Sequence, residues 1–125
     1  MAKFNKPKFT PFNNTLYAWN GLREITRNET SIKIHYAAFI VFSIGIYFLP
    51  IEIGYKLYMF FSMFVPIMAE LVNSAIERVV DLVTTDYHEM AKHAKDAGSA
   101  IVFVALWSTL FSWIAVLLLA FGVIK

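Results

Sequence analysis

The sequence predicts an all-α membrane protein: three transmembrane helices preceded by an amphipathic surface helix, in one domain over residues 1–125. Two observations carry this. Of the 125 residues, 58% are hydrophobic and 16% are charged, against about 45–50% and about 25% in ordinary soluble domains. A chain this short buries too little of its surface to hide such an apolar load, which excludes a soluble monomer and a disordered chain. The apolar residues also fall in three runs. Residues 34–51 and 97–124 carry no formal charge, and residues 57–76 carry only Glu70. Each run is close to or longer than the roughly 20 helical residues that cross a hydrocarbon core. The absence of cysteine excludes disulfide scaffolds, thiolate metal sites and cysteine nucleophiles. A net charge of +2 does not suggest a nucleic-acid partner.

The surface helix is expected over about residues 11–27. Thr10 can cap it, with Pro11 at the first position. Leu16, Trp19, Leu22 and Ile25 recur every three residues, while Asn20, Arg23, Glu24 and Arg27 fall elsewhere. Such a helix lies in the membrane interface with Tyr17 and Trp19 at headgroup depth, or else packs on the bundle. The three spans follow at about 30–50, 55–83 and 91–123. Pro50, Glu52 and Gly54 form the first connection, and the second lies within residues 84–91.

No apolar stretch separates the early lysines and arginines, so no cleavable signal peptide is expected. With the N-terminus in the cytoplasm, Lys3, Lys6, Lys8, Arg23, Arg27, Lys33, Arg78, Lys92 and Lys95 fall inside. Only Lys56 and Lys125 fall outside, a strong positive-inside bias.

The informative feature is the second span. Glu70, Asn73, Glu77 and Asp81 fall within roughly an 80° arc at 3.6 residues per turn. Ser74 and Arg78 flank the same stripe. An acid inside the bilayer costs about 2.5–3.5 kcal/mol at mid-span, so ionisable residues there generally serve function. The structural alternative is that Glu70 and Asn73 hydrogen-bond between helices and fix packing. Crowded carboxylates, however, repel one another unless a cation or shared proton relieves them.

A second cluster, Lys92, Lys95, Asp96 and Ser99, shares one face at the start of the third span. It returns the chain to the membrane below the acidic stripe. Ala94 and Gly98, four residues apart, suit close helix contact. Glu29 opens the first span, where a carboxylate is also favoured simply as a helix cap. His35, His88 and His93 are not at metal-ligand spacings. Carboxylates with lysine at an interface suit magnesium and phosphate, because magnesium takes one or two carboxylates plus substrate phosphates. The five scattered glycines form no phosphate-binding loop.

The run Glu70-Leu71-Val72-Asn73-Ser74-Ala75-Ile76-Glu77-Arg78-Val79-Val80-Asp81 closely resembles the signature of the prokaryotic, integral-membrane diacylglycerol kinases. Tyr17-Ala18-Trp19-Asn20-Gly21-Leu22-Arg23, Asn28-Glu29, Tyr87-His88-Glu89 and Ala94-Lys95-Asp96-Ala97-Gly98-Ser99-Ala100 match in family order. The resemblance implies a homotrimer of three-span protomers in the bacterial inner membrane. It also implies transfer of the γ-phosphate of MgATP to 1,2-diacylglycerol, giving phosphatidic acid.

By the same resemblance Glu70 matches the general base, and Glu29 and Glu77 match the metal ligands. Tyr17, Asp86, Tyr87, His88, Lys95 and Asp96 match positions around ATP. Asn73 matches a polar residue beside the base, and Trp19, Arg23, Ser99 and Trp113 match positions lining the lipid site. The sequence departs from the family pattern at one place. An arginine usually follows a Phe-Thr pair near the start of the surface helix, but here Phe9-Thr10 precedes Pro11, and Lys6 and Lys8 are the nearby cations. Two other readings remain open on sequence: an undecaprenol kinase of the same family, and a non-catalytic transporter using Glu70 for protons.

Overall fold

A computed structural model describes residues 10–125. Lys3, Lys6 and Lys8, used in the charge argument, lie outside the described residues. Five helical segments follow one another: α1 (Pro11–Asn28), α2 (Thr30–Phe48), α3 (Ile53–Ser62), α4 (Phe64–Val83) and α5 (Glu89–Ala120). No strand occurs among the described residues. Three stretches are long and apolar enough to cross a membrane: Thr30–Phe48, Ile53–Val83 and Glu89–Ala120.

Pro11 occupies the first position of α1, where its missing N–H is no loss. Thr10 sits at the N-cap with extended backbone, but its hydroxyl makes no capping bond. Only its carbonyl is used, accepting from the Asn14 amide at 3.0 Å. A single extended residue, Glu29, ends α1 and begins α2. The second helix stops at Phe48, before Leu49-Pro50, because the residue preceding proline is driven out of helical geometry. Gly54, expected in the connection, lies in the first turn of α3.

The second span is a rod interrupted at Met63. Pro66 explains the break: its ring displaces the carbonyl of Ser62 four residues back and offers it no N–H. From Ile53 to Ser74 is about 32 Å at 1.5 Å per residue, the thickness of a hydrocarbon core. The rod continues to Val83 and α5 begins at Glu89, so the outer turns of both project past that boundary at the end where α1 joins α2.

The most extensive helix interface is between α4 and α5. An apolar core of Ile46, Met59 and Met63 fills the end far from Glu29, with Phe39, Phe60 and Trp113 against it. Here Trp113 Nε1 donates to Ser62 Oγ at 2.8 Å, and that hydroxyl donates to the Met59 carbonyl at 2.8 Å. The bond joins α5 to the interrupted part of the rod. Trp113→Phe keeps the ring and loses the bond; we expect a cost of about 0.6–1.7 kcal/mol, read as a lower unfolding midpoint in mixed micelles.

Elsewhere the large apolar side chains point outward. Ile40, Val41, Phe103 and Phe111 all lie on the surface of the protomer. An apolar exterior on helices of this length is what a bilayer solvates.

Candidate functional site at the polar end of the bundle

At the other end the buried side chains of α4 are polar. Glu70 is 5% exposed, Asn73 8% and Ser74 2%. They lie where the apolar runs of α2 and α5 would otherwise meet α4, and the 3.6-residue period of α4 puts them on one face. Among the described residues Glu70 has no hydrogen-bond or ion-pair partner. Glu77 lies about 10 Å further along the axis, two turns nearer the aqueous boundary. Its Oε1 accepts from Asn73 Nδ2 at 3.0 Å, leaving Oε2 without a partner among the described residues.

The oxygen of the Asn73 amide, Oδ1, is buried and unpartnered. It faces Gly98 of α5, where an added Cβ would overlap it. Gly98 thus does what small residues do at membrane helix contacts: it lets a backbone come in close.

Glu29 is not a helix cap in the chemical sense. It occupies the N-cap position of α2, but its carboxylate makes no capping bond. It crosses instead to α4, where Ser74 Oγ donates to Oε2 and Arg78 Nη2 donates to Oε1 at 2.8 Å. Arg78 Nη1 donates to Glu24 Oε2 on α1. The guanidinium, with help from the Asn28 amide, holds the Glu24 carboxyl below the ordinary carboxylate range. The elbow between α1 and α2 is therefore pinned to α4 at two residues, Ser74 and Arg78.

Beyond the stripe a polar cleft of about 460 Å³ opens between the end of α4, the connection and the start of α5. Asp86, Tyr87, His88, Lys95 and Asp96 all line it, together with Asp81 and Lys92. Lys95 Nζ donates to Asp81 Oδ1 at 2.5 Å, and Lys92 Nζ donates to Asp96 Oδ2 at 2.6 Å. His88 also caps α5, its Nδ1 accepting from the Met90 amide at 3.2 Å. A separate apolar cavity of about 420 Å³ lies within the spans, between α2, α4 and α5, with His35 and Trp113 in its wall.

A sequence model of the prokaryotic diacylglycerol kinases matches residues 16–117, which take in α2 to α4 whole and most of α1 and α5. This chain belongs to that family. It is a membrane-bound lipid kinase. The diacylglycerol kinase of Escherichia coli K12 is 32% identical over 106 residues, covering 85% of this chain and 87% of its own. That of Haemophilus influenzae is 39% identical over 95 residues, covering 75% and 80%. The undecaprenol kinase of Bacillus subtilis is 33% identical over 93 residues, covering 74% and 76%. Membership removes the non-catalytic transporter reading.

In this lipid kinase the expected site residues fall into three places. Glu29, Glu70, Asn73 and Glu77 gather at the polar end of α4. Asp86, Tyr87, His88, Lys95 and Asp96 gather in the cleft. Tyr17, Trp19 and Arg23 are exposed on α1, and Ser99 is exposed on α5 beside Gly98. Trp113 joins none of these, since it lies about 21 Å further along α5 than Ser99.

Sequence reasoning left Ser74, Arg78, Glu24 and Lys92 out of the kinase's site. Ser74 and Arg78 flanked the stripe and carried a spacing signal; Glu24 carried none, because its partner is 54 residues away.

Proposed function

We propose that this lipid kinase transfers the γ-phosphate of MgATP to the hydroxyl of 1,2-diacylglycerol, giving phosphatidic acid at the cytoplasmic face of the bacterial inner membrane. The observation that carries the reading is the depth order on α4: an unpaired carboxylate, Glu70, buried two turns inside Glu77 on one face. A lipid hydroxyl held at glycerol depth meets the inner carboxylate, and a water-soluble nucleotide meets the outer one.

The acceptor's hydroxyl oxygen forms a bond to the γ-phosphorus as the bond to the β-bridging oxygen breaks and ADP leaves. Its proton goes to the Glu70 carboxylate. Positioning and charge neutralisation account for most catalysis of this kind. The carboxylates of Glu29 and Glu77 suit magnesium, which prefers oxygen donors and takes the remainder from substrate phosphates and water. Glu77 keeps one oxygen uncommitted among the described residues, free for such an ion. When bound, the ion neutralises phosphate charge.

Lys95 and Lys92 bring cations to the nucleotide cleft, with Tyr17, Asp86, Tyr87, His88 and Asp96 around the nucleotide. Trp19, Arg23, Asn73 and Ser99 line the headgroup end of the lipid site. Trp113, much deeper on α5, meets acyl chain rather than glycerol. The positive-inside bias supports a cytoplasmic N-terminus, the outward-facing apolar side chains support a place within the bilayer, and the homotrimer rests on the family resemblance.

The undecaprenol kinase relative, as similar as the Escherichia coli one, supports a second reading in which the same site phosphorylates a polyprenyl alcohol. Labelled ATP offered with each lipid in parallel separates them. Faster turnover of diacylglycerol is expected, and faster turnover of undecaprenol overturns the substrate assignment. Glu77→Ala is expected to raise the magnesium concentration for half-maximal activity by about 10-fold or more, with lipid affinity nearly unchanged. A magnesium titration identical to wild type contradicts the role given to Glu77.

A further inference from the structure

Arg78 has no part in the reaction described above, yet it has the widest reach of any side chain at the polar end. From α4 it bonds Glu29 at the elbow and Glu24 on α1. Ser74, one turn before it, holds the second oxygen of Glu29. Both oxygens of the Glu29 carboxylate are therefore oriented from α4. Nothing on its own segment does this, because Glu29 is extended and makes no capping bond to α2. Without the two α4 donors the side chain would be free to turn about its own rotatable bonds, and ordering it would fall to whatever binds there.

Resting on the reading that Glu29 is a ligand for nucleotide-bound magnesium, we propose that Arg78 is a positioning residue that fixes the Glu29 carboxylate for that ion, with Glu24 as its anchor. Arginine suits the task. Its planar fork holds two carboxylates at once in a fixed geometry, whereas a lysine presents one point charge on a flexible stem. A cation beside a metal ligand would ordinarily repel the metal. Here Glu24 already neutralises the guanidinium, and 43% of the Arg78 side chain is in contact with solvent. What the pair supplies is orientation with little net charge.

The test is calorimetric binding of a non-hydrolysable ATP analogue to the full chain in nanodiscs at graded magnesium concentrations, alongside the lipid kinase assay. Arg78→Ala is expected to raise the magnesium needed for half-maximal nucleotide binding by about 10-fold or more, the usual cost of removing a partner of a metal ligand. Arg78→Lys is expected to give a smaller rise, and neither variant to change KM for diacylglycerol. A purely structural role would not separate magnesium response from lipid KM in this way.

Glu24→Gln, an exposed change that leaves Arg78 on Glu29, is expected to shift the magnesium response in the same direction by less; it serves if Arg78→Ala does not fold. Glu29→Gln is the control. If it shifts the magnesium response while Arg78→Ala and Glu24→Gln match wild type, the proposal is wrong and the metal assignment stands. If Glu29→Gln itself leaves the response unchanged, the metal assignment fails and the proposal with it.

Discussion

Glu70→Gln is expected to abolish ATP-dependent lipid phosphorylation while leaving a folded protein. The amide is nearly the size of the carboxyl and fills the same buried position, so packing is kept. It has no basic oxygen with which to take a proton from a lipid hydroxyl. General bases contribute about 10²–10⁴-fold, and a loss in that range is the expected effect on kcat. Nucleotide binding should persist, because Glu77 and the polar cleft lie two or more turns away. Binding of a non-hydrolysable ATP analogue, measured on the same preparation as the kinase assay, checks both halves. Wild-type turnover in this variant would remove Glu70 from its role.

Gly98→Ala should produce the second large effect, through packing rather than chemistry. The new Cβ would overlap Asn73 Oδ1 and come within 3.5 Å of Ile76 Cδ1. Two relaxations are open. The helices α4 and α5 can separate, in a medium where apolar burial does not pull them back together. Alternatively the Asn73 amide can swing away and lose its bond to Glu77. Overpacking of this kind costs about 1–3 kcal/mol, so the unfolding midpoint falls in the first case. In the second, stability is nearly kept and the magnesium response shifts. The double variant Gly98→Ala with Asn73→Ala removes the overlap and should recover stability without activity. A single variant like wild type in both respects would show that the contact tolerates a methyl group.

The parts of the fold legible in the sequence were those governed by local period and length. Apolar runs long enough to cross a bilayer mark the three spans. Successive steps of 100° put Glu70, Asn73 and Glu77 on one side of α4, and the buried positions agree for Glu70 and Asn73. The small pair Ala94 and Gly98 announced a close approach but not the side chain it would meet. Pro66 was visible, and the break at Met63 is its ordinary consequence, yet the apolar run through it reads as one uninterrupted span.

The unreadable parts depend on contacts between distant segments. Glu29 looks like a cap because acids favour helix starts, and nothing local tells that its carboxylate is taken up 45 residues later by Ser74. The link from Arg78 to Glu24 has no periodic signature at all. Trp113 matched a position lining the family's lipid site, and the match did not tell that its indole donates to Ser62, far along α5 from Ser99. Resemblance passes on a position, not its distance from the reacting groups.

The joint at Glu29 leaves no slack between the helices it connects. With a linker of several residues, α1 could roll or drift without disturbing the first span. Here a single peptide unit transmits such a movement, and that unit bears a carboxylate. Any displacement of α1 is thereby passed to a negative charge beside α4. Mechanical stress and local electrostatics are geared together at one amino acid.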